Sequence, residues 1–539
     1  MSTAMLRTLI LTGALALLPS SLPAQTGAIE PFGITPTTMT LSALLKLHAT
    51  AVGKLPPGMP KTRSAAWTYK EGDLTGTTTS LVSGDDYRDD ITLGPFHEAD
   101  GQYHGQEWAQ NANGLTHLVT GVHGRDDANR KALGLSHALQ KNSGVQLLGA
   151  ISDPSPAYVV KVSPPDGRVE FIYYDKAKYL IIRTERAVEQ GRIVTTYDDF
   201  RTTDGVTEAW HVHVSDGQPG NDEDSQLQTL QHGVAIDASK LVIPPDARNP
   251  VTLGGSRVSL PVSILSDRII VKTQIGGRKV DFQLDSGASG LLLDRSVAEA
   301  LKIPLYGKLT EVTAGAYLAS RAIVPQITIG NLTMQNVAIE AAPFHWYASD
   351  GTPIAGLMGY DLIASTVIHV DYLNGTVEAI DPSAFTPPAG ALVLPIRLDD
   401  QVPVIAARIG ATSAQKFILD TGADRSLLFS EFVAAHPADT ADQGMGEAIE
   451  DSFPFVESSG GVGGEIEIRP VEVNGLGLST ISFPRWLFFA TQTANSFNQE
   501  DYDGLIGQDV LRNFDLYFDY RHAKIYLVPN DRYRTRWGS

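Results

Sequence analysis

The chain has no cysteine anywhere in its 539 residues. That excludes disulfides, thiolate metal sites, a cysteine nucleophile and lipid attachment through an N-terminal cysteine, so stability rests on packing alone. Cationic charge is also scarce. Forty-two lysines and arginines stand against sixty-one acids, a formal net charge of −19, and that balance opposes binding to nucleic acid or to an anionic membrane surface. No HExxH, GxSxG, Walker or dinucleotide fingerprint is present to anchor another enzyme class. Beyond the N-terminal leader no apolar run is long enough to cross a bilayer. The thirteen histidines are scattered. His211 and His213 alternate on one face of a predicted strand, but no carboxylate or third histidine stands at a supporting spacing, so neither a metal nor a cofactor is expected.

The longest apolar stretch opens the chain. Arg7, the run 9–18 and a Pro/Ser-rich segment ending Leu22-Pro23-Ala24 form the pattern of a signal peptide, residues 1–24, cleaved after Ala24. Export is therefore expected, and an exported chain without cysteine suits a bacterial periplasm or exterior better than a eukaryotic secretory route. The remaining length exceeds what one core organises, so several domains are expected. In the first, residues 25–245, leucines 41, 44, 45 and 47 recur at helical spacing after Thr40 or Ser42 as N-cap, predicting a helix over Leu41–Val52. Short alternating segments follow at 158–162, 169–174, 179–186, 193–200 and 209–214. Pro-Asp-Gly, Gly-Arg and Thr-Asp-Gly turns punctuate them, predicting a strongly bent antiparallel sheet that closes with the run 233–245. Over about 30–245, helix followed by meander resembles the open half-barrel of periplasmic lipoprotein carriers and sorting factors. The resemblance implies an apolar ligand for this region.

The rest of the chain reads as an internal duplication. FQLDSGASGLLL at 282–293 and GLMGYDL at 356–362 recur as FILDTGADRSLL at 417–428 and GLIGQDV at 504–510. Upstream, Leu260-Pro261-Val262 corresponds to Leu394-Pro395-Ile396. Downstream, Val370-Asp371-Tyr372 with a turn at Asn374-Gly375 corresponds to Phe518-Asp519-Tyr520 with a turn near His522. Each copy predicts one β-rich lobe, 255–382 and 390–530, joined by a Pro/Gly-containing linker at 381–391. The fold expected for the whole is mainly β: a curved antiparallel half-barrel with a helix, then two β-barrel lobes. In both copies a strand of apolar residues ends on an aspartate, which drives a carboxylate toward an interior that solvates its charge poorly. Two such acids face to face could not both ionise easily and would share a proton.

These motifs resemble those of the retropepsin and pepsin-like aspartic proteases, apolar-apolar-Asp-[Thr/Ser]-Gly followed by apolar-apolar-Gly. The second element is filled here by Leu357-Met358-Gly359 and Leu505-Ile506-Gly507. Ala288 and Ala423 after the glycines are closer to the retroviral type and its bacterial relatives. The resemblance covers about 255–530. It implies that Asp285 and Asp420 form a catalytic dyad acting on a polypeptide, within one monomeric chain, as an exported endopeptidase that needs no metal. Ser286 and Thr421 would lock the two loops together through their hydroxyls, and Gly287 and Gly422 would permit the tight turns that expose the carboxylates. A flap over substrate is implied at 313–318, with Gly315 and Tyr317, and at 460–464, with Gly463 and Gly464. Asp424 matches a position that holds substrate backbone in retroviral relatives. Its counterpart is Ser289, so the halves are not equivalent.

Other acids read as structural. Asp361 and Asp509 suit helix N-caps, and Asp371 and Asp519 suit hairpin turns. His345-Trp346-Tyr347 fits packing better than a specificity pocket. A function from a different class remains: a periplasmic binding or chaperone protein whose curved sheet holds an apolar ligand while the lobes grip peptide without cutting. Pairing of Asp285 with its equivalent in a second molecule is a further arrangement. A paired-carboxylate glycosidase is disfavoured, because the turns bring the acids too close for an intervening sugar and water.

Overall fold

The computed structural model describes residues 31–121, 144–163, 168–188, 191–218, 220–266, 268–312, 316–343, 346–440, 457–461, 464–492 and 502–537. The expected signal segment, Gly315, His345 and Gly463 lie outside them. The chain is mainly β and divides into two compact units. One holds the chain up to Ala112, Leu118–Pro245 and Gly307–Thr310; the other holds Asn113–His117, Asp246–Tyr306 and Glu311–Ser539.

The first unit is a thirteen-stranded sheet in two sequential runs. They meet where Thr62–Glu71 pairs antiparallel with Glu223–His232. The predicted helix is present over Leu41–Val52, and Thr40 caps it by accepting the amide of Ala43. Its leucines 44 and 45 are buried against Val160, Val162, Ile172 and Tyr174, so the apolar stripe of the helix covers the apolar side of the sheet. Closure differs from expectation. The closing strand is Glu223–His232, and the run 233–245 holds only a turn of 3-10 helix at Ala238–Lys240. Charge is also buried in this sheet: Arg63 donates to Glu208 at 3.3 Å, the Tyr69 hydroxyl to Glu223 at 2.7 Å and the Tyr173 hydroxyl to Glu185 at 2.8 Å.

His211 meets two carboxylates, Asp198 at 3.0 Å and Asp224 at 3.2 Å, and His213 also reaches Asp224 at 3.1 Å. Spacing along the chain hid these acids because they come from the flanking strands. Among the described residues no cluster of three or more such side chains is arranged to hold a metal ion, and no helix is long and apolar enough to cross a membrane.

The second unit contains nine-, ten- and six-stranded sheets. In the nine-stranded sheet, Arg278–Leu284 runs parallel to Gly356–Met358, with Phe282 opposite Gly356 and Leu284 opposite Met358. Gly356–Met358 also pairs antiparallel with Leu291–Asp294. The ten-stranded sheet repeats the pattern. Thr412–Leu419 runs parallel to Gly504–Ile506, with Phe417 opposite Gly504 and Leu419 opposite Ile506, and Leu427–Leu428 pairs antiparallel with the latter. Alternation along each strand sets this register: Phe282, Leu284, Phe417 and Leu419 are all essentially inaccessible. Each acid-bearing strand is thereby gripped on its parallel side by the apolar-apolar-Gly segment of its own half.

The six-stranded sheet draws on both halves of the unit. Arg257–Leu260, Thr376–Ile380 and Val367–Asp371 continue into Phe514–Asp519, Lys524–Pro529 and Leu392–Pro395. The seam pairs Ile368 with Phe518, His369 with Tyr517 and Val370 with Leu516. Asp371 accepts the amides of Leu373 and Asn374 in its hairpin turn, and Asp519 that of His522, as expected for turn acids. Asp361 and Asp509 are not N-caps. Gly359 and Gly507 hold those positions, and the acids fall in the first turns of Tyr360–Ser365 and Gln508–Leu511. Asp509 accepts Ser426 Oγ at 2.7 Å, Trp486 Nε1 at 3.3 Å and the Val510 amide at 3.0 Å, so the buried carboxyl is satisfied partly from outside its helix.

Candidate active site

Asp285 and Asp420 leave their strands at equivalent points. The Asp285 amide donates to Met358 O at 3.0 Å and the Asp420 amide to Ile506 O at 2.9 Å, so parallel pairing continues until the chain turns. Within each turn the glycine amide bonds its own acid: Gly287 N to Asp285 Oδ1 at 2.9 Å, Gly422 N to Asp420 Oδ1 at 2.6 Å.

The two turns interlock. Ser286 Oγ donates to Leu419 O at 2.7 Å and accepts the Thr421 amide at 2.9 Å. In return, Thr421 Oγ1 donates to Leu284 O at 3.1 Å and accepts the Ser286 amide at 2.9 Å. Both side chains are buried, so four mutual bonds in a dry setting fix one loop against the other. Close approach explains the glycines. A Cβ on Gly287 would sit 2.7 Å from Asp420 Cγ, and one on Gly422 would collide with the Asp285 carboxyl. Each carboxyl therefore rests on the opposite turn.

The two carboxyls interact across the paired turns, each lying against the glycine of the other. Burial, then the charge of Asp420 and the bond to it, raise Asp285 well above the ordinary carboxyl value. Burial raises Asp420 too, against bonds from Asp285 and from the amides of Gly422, Ala423 and Gly287. Burial and mutual proximity thus oppose the ionisation of both acids, so the pair holds one proton between them. Tyr520 is buried close by; burial first, then Tyr360 and the two acids, raise its phenol far above normal.

Two glutamines support the second turn, and neither was anticipated. Gln283 Nε2 donates to Gly422 O at 2.8 Å and Gln508 Nε2 to Thr421 O at 2.6 Å. A signal was present: Gln283 is the one polar residue in Phe282-Gln283-Leu284, on the strand face away from the core.

Asp424 is held by Arg268 in a two-pronged bridge, Nε to Oδ1 at 2.8 Å and Nη2 to Oδ2 at 2.9 Å. Both partners are partly exposed, so Arg268→Ala is expected to change stability by less than about 1 kcal/mol in a denaturant titration. A larger loss would mean that the bridge carries packing as well as charge.

Tyr317 lies on Ala316–Ile329, and its hydroxyl donates to Glu340 Oε1 at 3.3 Å. Its ring packs against Leu292, Ala342 and Leu357, the cluster that Ala288 and Trp346 also cover. Trp346 packs against Ile270, Ala348 and Ile354 as well, the packing role expected of it. Gly464 begins Gly464–Val473, paired with Glu457–Gly461 so that Gly461 faces Gly464.

Residues 271–362 match the family described as aspartyl protease. The match takes in the Asp285 turn and Gly356–Met358 and stops before Asp420, and it gives this stretch a protease-like character in general. No curated protein matches the chain. Among solved structures, the aspartic proteinase from Irpex lacteus is 14% identical at a TM-score of 0.32, covering 51% of this chain and 98% of its own. Basic 7S globulin from soybean is 11% identical at 0.33, covering 52% and 97%. A LolA superfamily protein from Nitrosomonas europaea is 12% identical at 0.28, covering 38% and 98%.

Proposed function

We propose that the chain is an exported aspartic endopeptidase whose dyad, Asp285 and Asp420, comes from two tandem lobes of one polypeptide. The observation that carries this reading is the pair of buried carboxyls, each resting on the other's turn, with the turns locked by the Ser286 and Thr421 hydroxyls. One chain supplies both acids, so a monomer suffices. In the reaction, the ionised acid of the pair takes a proton from a water that attacks the scissile carbonyl while its protonated partner donates to the carbonyl oxygen. The proton taken from water then passes to the leaving amine as the C–N bond breaks, and a hydroxyl of the tetrahedral diol returns its proton to the partner acid, with no covalent intermediate. The leader at 1–24 supports export to a periplasm or exterior, where unfolded polypeptide is the substrate.

Incubation of the purified protein with an unstructured protein, with and without a statine-type inhibitor, tests the reading. Fragments are expected without inhibitor and none with it. Intact substrate across the acid to neutral range, or fragments that the inhibitor does not suppress, would end it.

A further inference from the structure

One row of residues crosses the nine-stranded sheet in register: Gln283, Leu357, Leu292, Glu340 and Arg321. Their chain neighbours Phe282, Leu284, Met358, Leu291, Leu293, Ile339 and Ala341 all belong to the main core, so the row occupies the opposite face. That face adjoins the dyad. Gln283 bonds Gly422 O, and Leu357 and Leu292 pack with Ala288, next to Gly287.

The corresponding row in the ten-stranded sheet reads Ile418, Leu505, Leu427, Phe489 and Pro470. It is apolar throughout, and Ile418, Leu505, Leu427 and Phe489 belong to a separate cluster with Ile466, Ile468 and Tyr502. The Arg425 guanidinium stacks over Phe489 at 4.5 Å, adding positive charge on that side. At matching register, then, one half places the carboxylate of Glu340 where the other places a phenylalanine.

Glu340 accepts the Tyr317 hydroxyl through Oε1; among the described residues no hydrogen bond reaches Oε2. Burial pushes its carboxyl up to about 7, against the Tyr317 bond and the charge of Arg321. An arriving ammonium or guanidinium group would bond the second oxygen and favour the charge that burial opposes.

Resting on the peptidase reading, we propose that Glu340 selects polypeptides carrying a lysine or arginine side chain on one side of the scissile bond, with an apolar side chain on the other. A carboxylate on the face that carries Leu292 and Leu357 beside the dyad favours a cation over an isosteric apolar chain through a charge-assisted bond, and the apolar row with Arg425 disfavours a cation on the other half.

Matched peptides bearing lysine or norleucine at each position flanking the cleaved bond test this on the full chain. In the wild type, kcat/KM is expected to favour lysine over norleucine at one position by about tenfold or more, and Glu340→Gln is expected to erase that ratio. Statine-type peptides of the same two kinds, titrated by calorimetry, measure the preference without turnover. Equal kcat/KM for lysine and norleucine in the wild type, or a ratio unchanged in a folded Glu340→Gln variant, overturns the selectivity while the peptidase reading stands. No turnover, but tighter binding of the lysine peptide that is lost in Glu340→Gln, overturns the peptidase reading and supports the selectivity.

Discussion

Replacing either dyad acid with asparagine is expected to reduce turnover by about a thousandfold or more while raising the melting temperature at neutral pH. The loss follows from removing one partner of the acid–base pair, because asparagine neither carries nor accepts the shared proton. The gain in stability follows from linkage. Both acids have folded values raised above the ordinary 3.8 by burial. A carboxyl raised on folding contributes stability that is fully present below its unfolded value and is lost as pH climbs through the folded value. At neutral pH the wild type bears that loss, and an amide does not. The Gly287 amide still finds an acceptor in the asparagine carbonyl, so the turn keeps its bond. A rise of about 2–4 °C is expected, equivalent to about 1 kcal/mol in a unit of this size. Scanning calorimetry beside a fluorogenic peptide assay reads both. Undiminished turnover in either variant would show that the two carboxyls are not the reacting groups. Activity of the wild type should follow a bell in pH, with both limbs displaced upward from the range of free carboxyls, because burial raises each acid.

Gly422→Ala is expected to be nearly as damaging to turnover, for a steric reason. The added methyl would collide with the Asp285 carboxyl, and the turn has little room to yield because Gln283 and Gln508 hold the Gly422 and Thr421 carbonyls. Displacing a reacting carboxyl by about 1 Å costs on the order of a hundredfold. Stability should fall by about 1–3 kcal/mol as the turn is forced apart. An alanine variant with wild-type kcat would mean that the carboxyls do not rest on the opposing turns. Asparagine at 285 or 420 and alanine at 422 thus separate chemistry from geometry: both lose turnover, but their stabilities should move in opposite directions.

Short-range pattern made much of this legible. Leucines at helical spacing and a Thr40 cap mark Leu41–Val52, and period-two alternation marks the long meander. The two apolar strands ending on Asp285 and Asp420 mark the turns, because burying a carboxyl leaves a local trace in sequence. What escaped were pairings made across the fold. His211 and His213 find Asp198 and Asp224 on flanking strands, Asp424 finds Arg268, and the glutamines act on a turn far away in the chain. Asp361 and Asp509 differ from the expected caps because an acid near a helix start suits either the cap or the first turn, and here Gly359 and Gly507, two residues earlier, take the cap. Glu340 carried no local signal; only the register of four strands shows that it stands where the other half has Phe489.

The six-stranded sheet that stitches Val367–Asp371 to Phe514–Asp519 has a mechanical consequence. The two acid-bearing halves are welded beneath the cleft by a ladder of backbone bonds, like the jaws of a vice cast in one piece, and the gap between the carboxyls cannot widen without breaking rungs. On the proposed peptidase reading, a polypeptide is therefore admitted with the two halves held at a fixed separation.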